Sequence, residues 1–289
     1  MNEFSELKAC DLQLKNVCVN VRDLVAPLVT SLSRYSWIGP SDSQTLEFVK
    51  RAAIVRQFEA TEAILALIDA GHGAFGVTML RPAYEELLWI EYLGKHEDVS
   101  IEIVRSMTRK EVLDSYSAQK EYLGQRGIRN IGFTSQLSKR IEKGLKDSNA
   151  ALVKIGASLG WRSGASQPSV AYVARSVGRE KQYKYLYQGT SRAVHFSPQE
   201  LQRRVWGSYG AVTISSSNFE NYWSDFALSW SFRILIETLV NANFKFDFVS
   251  DAGIEKLADL VQDLRPVQIL TASELEAWNE PHLKFQKSR

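Results

Sequence analysis

Between residues 59 and 93 apolar side chains recur at spacings of three and four rather than two, and that period constrains the chain more than any other feature. Ile64, Leu65, Leu67 and Ile68, then Val77, Leu80, Leu87, Leu88 and Leu93, form a buried stripe of helical type. Arg81 and Glu85 lie inside it four residues apart, one turn along a common face. Pro82 stands between them and lacks the N–H that would bond the Thr78 carbonyl. Two outcomes are open: a kink at Thr78–Arg81, or one helix ending near Leu80 and a second starting with Pro82 at its first position. Either one sets a guanidinium and a carboxylate beside irregular backbone.

The same period governs most of the chain. Residues 4–33 read as a helix bent at Pro27, and Trp37 to Pro40 interrupts it. Ser41 with Gln44 forms a capping box that opens a helix to about Ala70. Asp98 is the expected N-cap of a helix over 99–124, closed by Gly124 and Gly127. Residues 134–158 place Leu137, Ile141, Leu145, Leu152 and Ile155 inside, with Lys139, Arg140, Lys143 and Lys146 outside. Helices are expected at 170–177 and from Arg179 to Val194, and Ser197-Pro198-Gln199-Glu200 starts another. Only residues 205–217 have strand-like content. Ser217 with Glu220 predicts a cap for an aromatic helix reaching Asn243, and short helices near 252–264 and 273–279 finish the chain. The fold class is therefore all-α: a multi-helix bundle of about nine or ten helices with little or no sheet. Residues 1–289 read as one helical domain, or as bundles 1–158 and 170–289 divided at the 156–169 loop, taken as a mobile linker.

Composition narrows the compartment and the partners. Apolar stretches such as that near Ile234 are cut by Arg233 and Glu237, so no membrane span is expected, and the N-terminus has no apolar signal-type core. Cys10 and Cys18, eight apart, suit packing in a reducing cytoplasm. Charge is unevenly spread. Residues 1–104 carry 9 Lys/Arg against 15 Asp/Glu, residues 105–184 carry 16 against 6, and residues 185–289 carry 10 against 12. The basic region 105–184 fits RNA or another polyanion, or an acidic face of the same fold or of a second copy.

The second polar stretch is Tyr183 to Pro198. Tyr187, Ser191 and His195 fall at successive steps of four, and Arg192 precedes His195 by three. A histidine at a helix C-terminus sits among exposed carbonyls that favour the imidazolium. With a hydroxyl one turn back, it is a candidate general acid or base; its structural alternative is an interhelical hydrogen bond. Candidate catalytic residues are thus His195, Arg81, Glu85 and Arg192; candidate binding residues are Tyr187, Ser191, Tyr84, Lys181 and Lys184. Lysines 181 and 184 alternate with Tyr183, Tyr185 and Tyr187 as in a single-strand binder, though helical spacing puts the lysines in water and the rings half inside. No Glu precedes a His by three, no Gly-x-Ser-x-Gly occurs, and Asp69/His72 is the one carboxylate–histidine pair, so no metal or cofactor is expected.

The pair LRPAYEELLWIEYL and YLYQGTSRAVHFSP resembles an uncharacterised bacterial all-helical family, over roughly residues 45 to 240. The resemblance maps its pattern onto Arg81, Glu85, Tyr187, Ser191, His195, Ser197 and Pro198 and implies no activity. A further likeness is to HEPN-type helical ribonucleases, in which an arginine and a histidine separated by four to six residues act on RNA. Here Arg192 and His195 are separated by two, and no histidine follows Arg129-Asn130. That likeness implies a defence or stress protein acting as a metal-independent ribonuclease, with His195 as base and Arg81 or Arg192 at the phosphate. The alternative is a non-catalytic homo-oligomeric module, self-associating through its aromatic C-terminal helix.

Overall fold

The computed structural model describes residues 12–34, 42–208, 211–215 and 217–243, with positions 259, 267 and 269. Nine α-helices and one hairpin occur among them: α1 (Leu12–Ser33), α2 (Asp42–Asp69), α3 (Val77–Lys95), α4 (Glu97–Asn130), α5 (Ser135–Leu159), α6 (Val170–Ser176), α7 (Glu180–Val194), α8 (Pro198–Arg203), β1 (Val205–Ser208), β2 (Ala211–Ile214) and α9 (Glu220–Ala242). The strands pair antiparallel, Val205 opposite Ile214 and Ser208 opposite Ala211. Among the described residues the fold is all-α apart from this ribbon. Cys10, Ser41, the Trp37–Pro40 break and the expected helices at 252–264 and 273–279 lie outside the described residues, as do the side chain of Gln44 and residues 4–11.

Two compact units divide the chain. The first combines residues 1–37, 50–90 and 180–289; the second combines 38–49 and 91–179. The 156–169 loop therefore lies within the second unit, not at a boundary. It is also fastened. Trp161 is buried and its Nε1 donates to the Tyr92 hydroxyl at 2.8 Å. Gly156 permits this, because a Cβ there would stand 2.5 Å from the Trp161 ring.

In the first unit the core forms around α9, where 16 of 23 residues are buried, Phe226, Trp223 and Trp230 among them. The aromatic rings of this helix lie in the unit's own core. Burial on all sides, rather than on one stripe, marks α9 as a central helix. The expected Ser217/Glu220 capping box does not form. Phe219, in the left-handed region at φ 61°, is the N-cap and offers no side-chain bond. Glu220 instead turns inward, and its Oε1 accepts the Ala74 N–H at 3.2 Å, at the start of a short 3-10 turn (Gly73–Gly76) leading into α3. A carboxylate at exposed N–H groups is favourable there.

α3 settles the Pro82 question. The helix runs unbroken from Val77 to Lys95 with Pro82 as its sixth residue, so neither a stop at Leu80 nor a fresh start at Pro82 occurs. Burial of Leu80, Ala83, Tyr84, Leu87 and Leu88 outweighs the one missing hydrogen bond.

In the second unit α4 starts two residues earlier than expected. His96 is the N-cap, without a side-chain bond, and Asp98 lies within the first turn. Gly124, at φ 66° and ψ 176°, breaks the helical geometry where expected, yet helix resumes as far as Asn130. Thr134 caps α5 by accepting the Leu137 N–H, and Tyr116 of α4 donates to Ser138 of α5 at 2.6 Å. Arg179 holds Glu91 through two bonds of 2.6 Å.

Candidate functional site

α7 is positioned by its small residues. Leu186, Gly189 and Thr190 face inward, and a Cβ on Gly189 would fall 2.7 Å from Phe226 Cζ, so glycine lets α7 approach α9 closely. Thr190 satisfies its hydroxyl on the Leu186 carbonyl at 2.7 Å. With this face fixed inside, residues 183, 187 and 195 project beside it, drifting about 40° at each step of four. α3 supplies the facing residues 81, 84 and 85.

Arg81 is the hub of the resulting cluster. Its Nε donates to Glu85 Oε1 at 3.0 Å, its Nη1 lies 3.0 Å from His195 Nε2, and its guanidinium carbon is 4.9 Å from the centroid of the Tyr187 ring. Tyr84 donates to Gln182 Oε1 at 3.1 Å. The two polar stretches recognised in sequence thus converge across 114 positions of chain. The Arg81 and Glu85 side chains keep 27% and 32% of their exposure and His195 is exposed, so water reaches the cluster.

Hydrogen-bond chemistry assigns the proton. A guanidinium has donors and no acceptor, so in this contact Arg81 donates and His195 Nε2 accepts. That contact places a ring proton on Nδ1. Burial pushes the Tyr183 hydroxyl upward in pKa, with Tyr187 and Glu85 adding to the effect and Arg81 opposing it. The hollow among Arg81, Tyr84, Glu85, Tyr183, Leu186, Tyr187 and Thr190 holds about 10 Å³, room for about one water.

Other expected residues stand apart. Arg192 is about 140° around α7 from Tyr187 at 100° per residue, off the stripe that meets Arg81. The arginine against His195 is therefore Arg81 of another helix, and the HEPN-type pairing of Arg192 with His195 gains no support. Ser191 gives its backbone carbonyl to the His195 N–H at 3.0 Å, and its hydroxyl makes no bond to the imidazole. Lys181 is exposed, and Lys184 pairs with Glu180 at 2.9 Å on the surface. Sequence reasoning did not single out Gln182 or Thr190. Neither type is distinctive alone, and only the packing of α7 shows which neighbours of Tyr183 and Tyr187 turn inward.

The second unit carries a different candidate surface. Residues 105–154, covering most of α4 and α5, hold 11 Lys/Arg against 5 Asp/Glu. Lys139, Lys143, Lys146 and Lys154 are exposed and fall within about 80° of one another on α5, opposite buried Ser148, Leu152 and Gly156. Lys120 bridges to Glu142 at 2.5 Å, tying the two helices at one point. The ring of Tyr122 is 91% exposed, an unusual cost for an aromatic in water.

Among the described residues no cluster of three or more His, Cys, Asp or Glu could hold a metal ion, and no helix is long and apolar enough to cross a membrane. No curated protein and no solved structure matches the chain. Residues 47–210, which include Arg81, Glu85, Tyr187, His195 and the whole α4–α5 pair, match a family of unknown function, and the chain belongs to that family, DUF5677.

Proposed function

We propose that this protein binds RNA through the α4–α5 helices and that the Arg81 cluster recognises an anionic group. The observation that carries the reading is the lysine stripe of α5. Four cations on the solvent face follow one another along about 22 Å of helix at 1.5 Å per residue. Such a row releases counterions when it meets a phosphate backbone, and the exposed Tyr122 ring offers a platform on which an unpaired base stacks.

Cleavage with His195 as general base is the second reading, favoured by its convergence with Arg81 and Glu85. It requires the Arg81–His195 contact to open first, because Nε2 is already an acceptor there. A labelled single-stranded RNA, titrated at several KCl concentrations, tests the first reading. Affinity is expected to fall steeply with salt, and Lys139→Glu/Lys143→Glu/Lys146→Glu to lower it at least about tenfold while flattening the log–log slope by about 2. Absence of binding at low salt, or an unchanged slope in the triple variant, removes the reading. Cleavage by the wild type that disappears in His195→Ala, with RNA binding retained, would establish the second.

A further inference from the structure

A guanidinium offers a bidentate oxyanion two forks of parallel N–H groups. One is shared by Nε and an Nη nitrogen, the other by the two Nη nitrogens. On Arg81 both forks are half taken. Nε donates to Glu85 Oε1 at 3.0 Å, and Nη1 donates to His195 Nε2 at 3.0 Å. Nη2 makes no hydrogen bond among the described residues, and the side chain keeps 27% of its exposure. Each fork therefore has one open nitrogen, and an oxyanion that spans either one competes with Glu85 or with His195 for the other.

Glu85 is the firmer of the two. It forms an ion pair with Arg81 one turn away on the same helix, and parting it from the guanidinium would set it against the arriving anion. His195 holds on through one lone pair. It stands one residue beyond the end of α7 and is exposed, so its ring can turn into water without uncovering a core. Arg81 itself stays in place, because its Nε remains on Glu85 and its guanidinium carbon lies 4.9 Å from the centroid of the Tyr187 ring. An anion on the guanidinium makes the stronger hydrogen bond, since both partners are then ionised.

We infer that a phosphodiester bridging Nη1 and Nη2 of Arg81 releases His195, so that Nε2 becomes a vacant acceptor only when an anion is seated beside it. The inference rests on the reading of the Arg81 cluster as an anion site and is independent of the lysine stripe. A singly charged diester meets less repulsion from Glu85 than a doubly charged monoester. The release supplies the opening that cleavage by His195 requires, and it makes the Arg81–His195 contact the resting state.

The test uses the full chain with ¹⁵N-labelled arginine and histidine at fixed pH and ionic strength. His195 is one of four histidines, and its ring signals and those of Arg81 are assigned by substitution. Dimethyl phosphate, which carries no hydroxyl and cannot be cleaved as RNA is, is titrated beside two controls. Trimethyl phosphate has the shape without the charge, and sodium chloride has the charge but cannot bridge a fork. Dimethyl phosphate is expected to move the Arg81 Nε–H and His195 Nε2 resonances saturably and with one midpoint, while the controls move neither. Titration to about 100 mM covers millimolar affinity. Arg81→Lys keeps the charge without the fork and is expected to leave His195 unresponsive. Glu85→Ala frees Nε, so the anion takes the Nε–Nη2 fork: Arg81 is expected to respond still, with the His195 response reduced about fivefold. Movement of Arg81 without His195 in the wild type overturns the inference and leaves the anion reading standing; movement of neither removes both. An undiminished His195 response in Arg81→Lys or Glu85→Ala, with helical circular dichroism intact, also overturns the inference.

Discussion

α9 and α5 are helices of 23 and 25 residues with opposite fates. Sixteen residues of α9 are buried; on α5 only Ser148, Leu152 and Gly156 are. α9 gathers aromatic and branched residues on every side and organises its unit by removing apolar area from water. α5 keeps one narrow inward strip and gives the rest to lysine. A helix of the first kind is closed to outside partners and intolerant of substitution; one of the second kind is open to both. The proposed RNA surface accordingly belongs to a helix of the second kind.

The comparison breaks most directly at Phe226. It is fully buried against Tyr222, Trp223 and Tyr185, so Phe226→Ala is expected to cost about 3–5 kcal/mol, read as a large fall in denaturation midpoint. A cost below about 1 kcal/mol would mean α9 is not the centre of its unit. Gly189→Ala probes the same contact from α7, where overpacking is expected to cost about 1–3 kcal/mol. In the second unit the largest single polar loss is expected at Glu91. Its carboxylate holds Arg179 bidentately with 11% of its side chain exposed, so Glu91→Gln is expected to cost about 1–3 kcal/mol. Charge reversal at Lys139, Lys143 and Lys146, by contrast, is expected to change stability within about 0.5 kcal/mol per site. A melting temperature that fell as far as for Phe226→Ala would show α5's lysines to be structural and erase the contrast.

Periodicity made most of this legible. The α2, α3, α5, α7 and α9 spans were readable because their apolar residues repeat at three and four, and the Ser197-Pro198 start because it follows capping chemistry. Pro82 was not, because the hydrogen bond it forfeits is local while the burial that holds α3 together comes from partners far along the chain. Glu220 was misread for the same reason: its spacing from Ser217 matches a cap, but its carboxylate accepts the backbone N–H of Ala74, 146 residues away. Arg81, Glu85 and His195 could be nominated from residue type and spacing. That Arg81, and not Arg192, is the arginine against His195 depends on how α3 meets α7, and no local pattern encodes that. The unmet oxygen of the buried Gln57 amide was invisible for a plainer reason. Gln57 and Glu86 are ordinary residues until packing leaves one of them an acceptor without a donor.

Glu86 offers the finest probe of the contrast, because it is a charge held where α3 should be closing off water. Burial raises its pKa in the folded protein above its ordinary value. Below the ordinary carboxylate range both folded and unfolded chains hold the proton, and the group is neutral to stability. As pH rises through that range the unfolded chain ionises first, so stability falls until the folded carboxyl follows, and the loss then persists to neutral pH. Glu86→Gln cannot ionise and still accepts the Gln57 N–H. Its melting temperature is therefore expected to sit near or slightly below wild type at about pH 4, the usual glutamate range, and to gain on it steadily toward pH 7. The gain should be small, since Arg56 returns part of the ionisation cost. The opposite trend, with Glu86→Gln losing ground as pH rises, would mean that Arg56 and Gln57 more than compensate the carboxylate. In that case α3's inner face would be as well provided for as the outer face of α5.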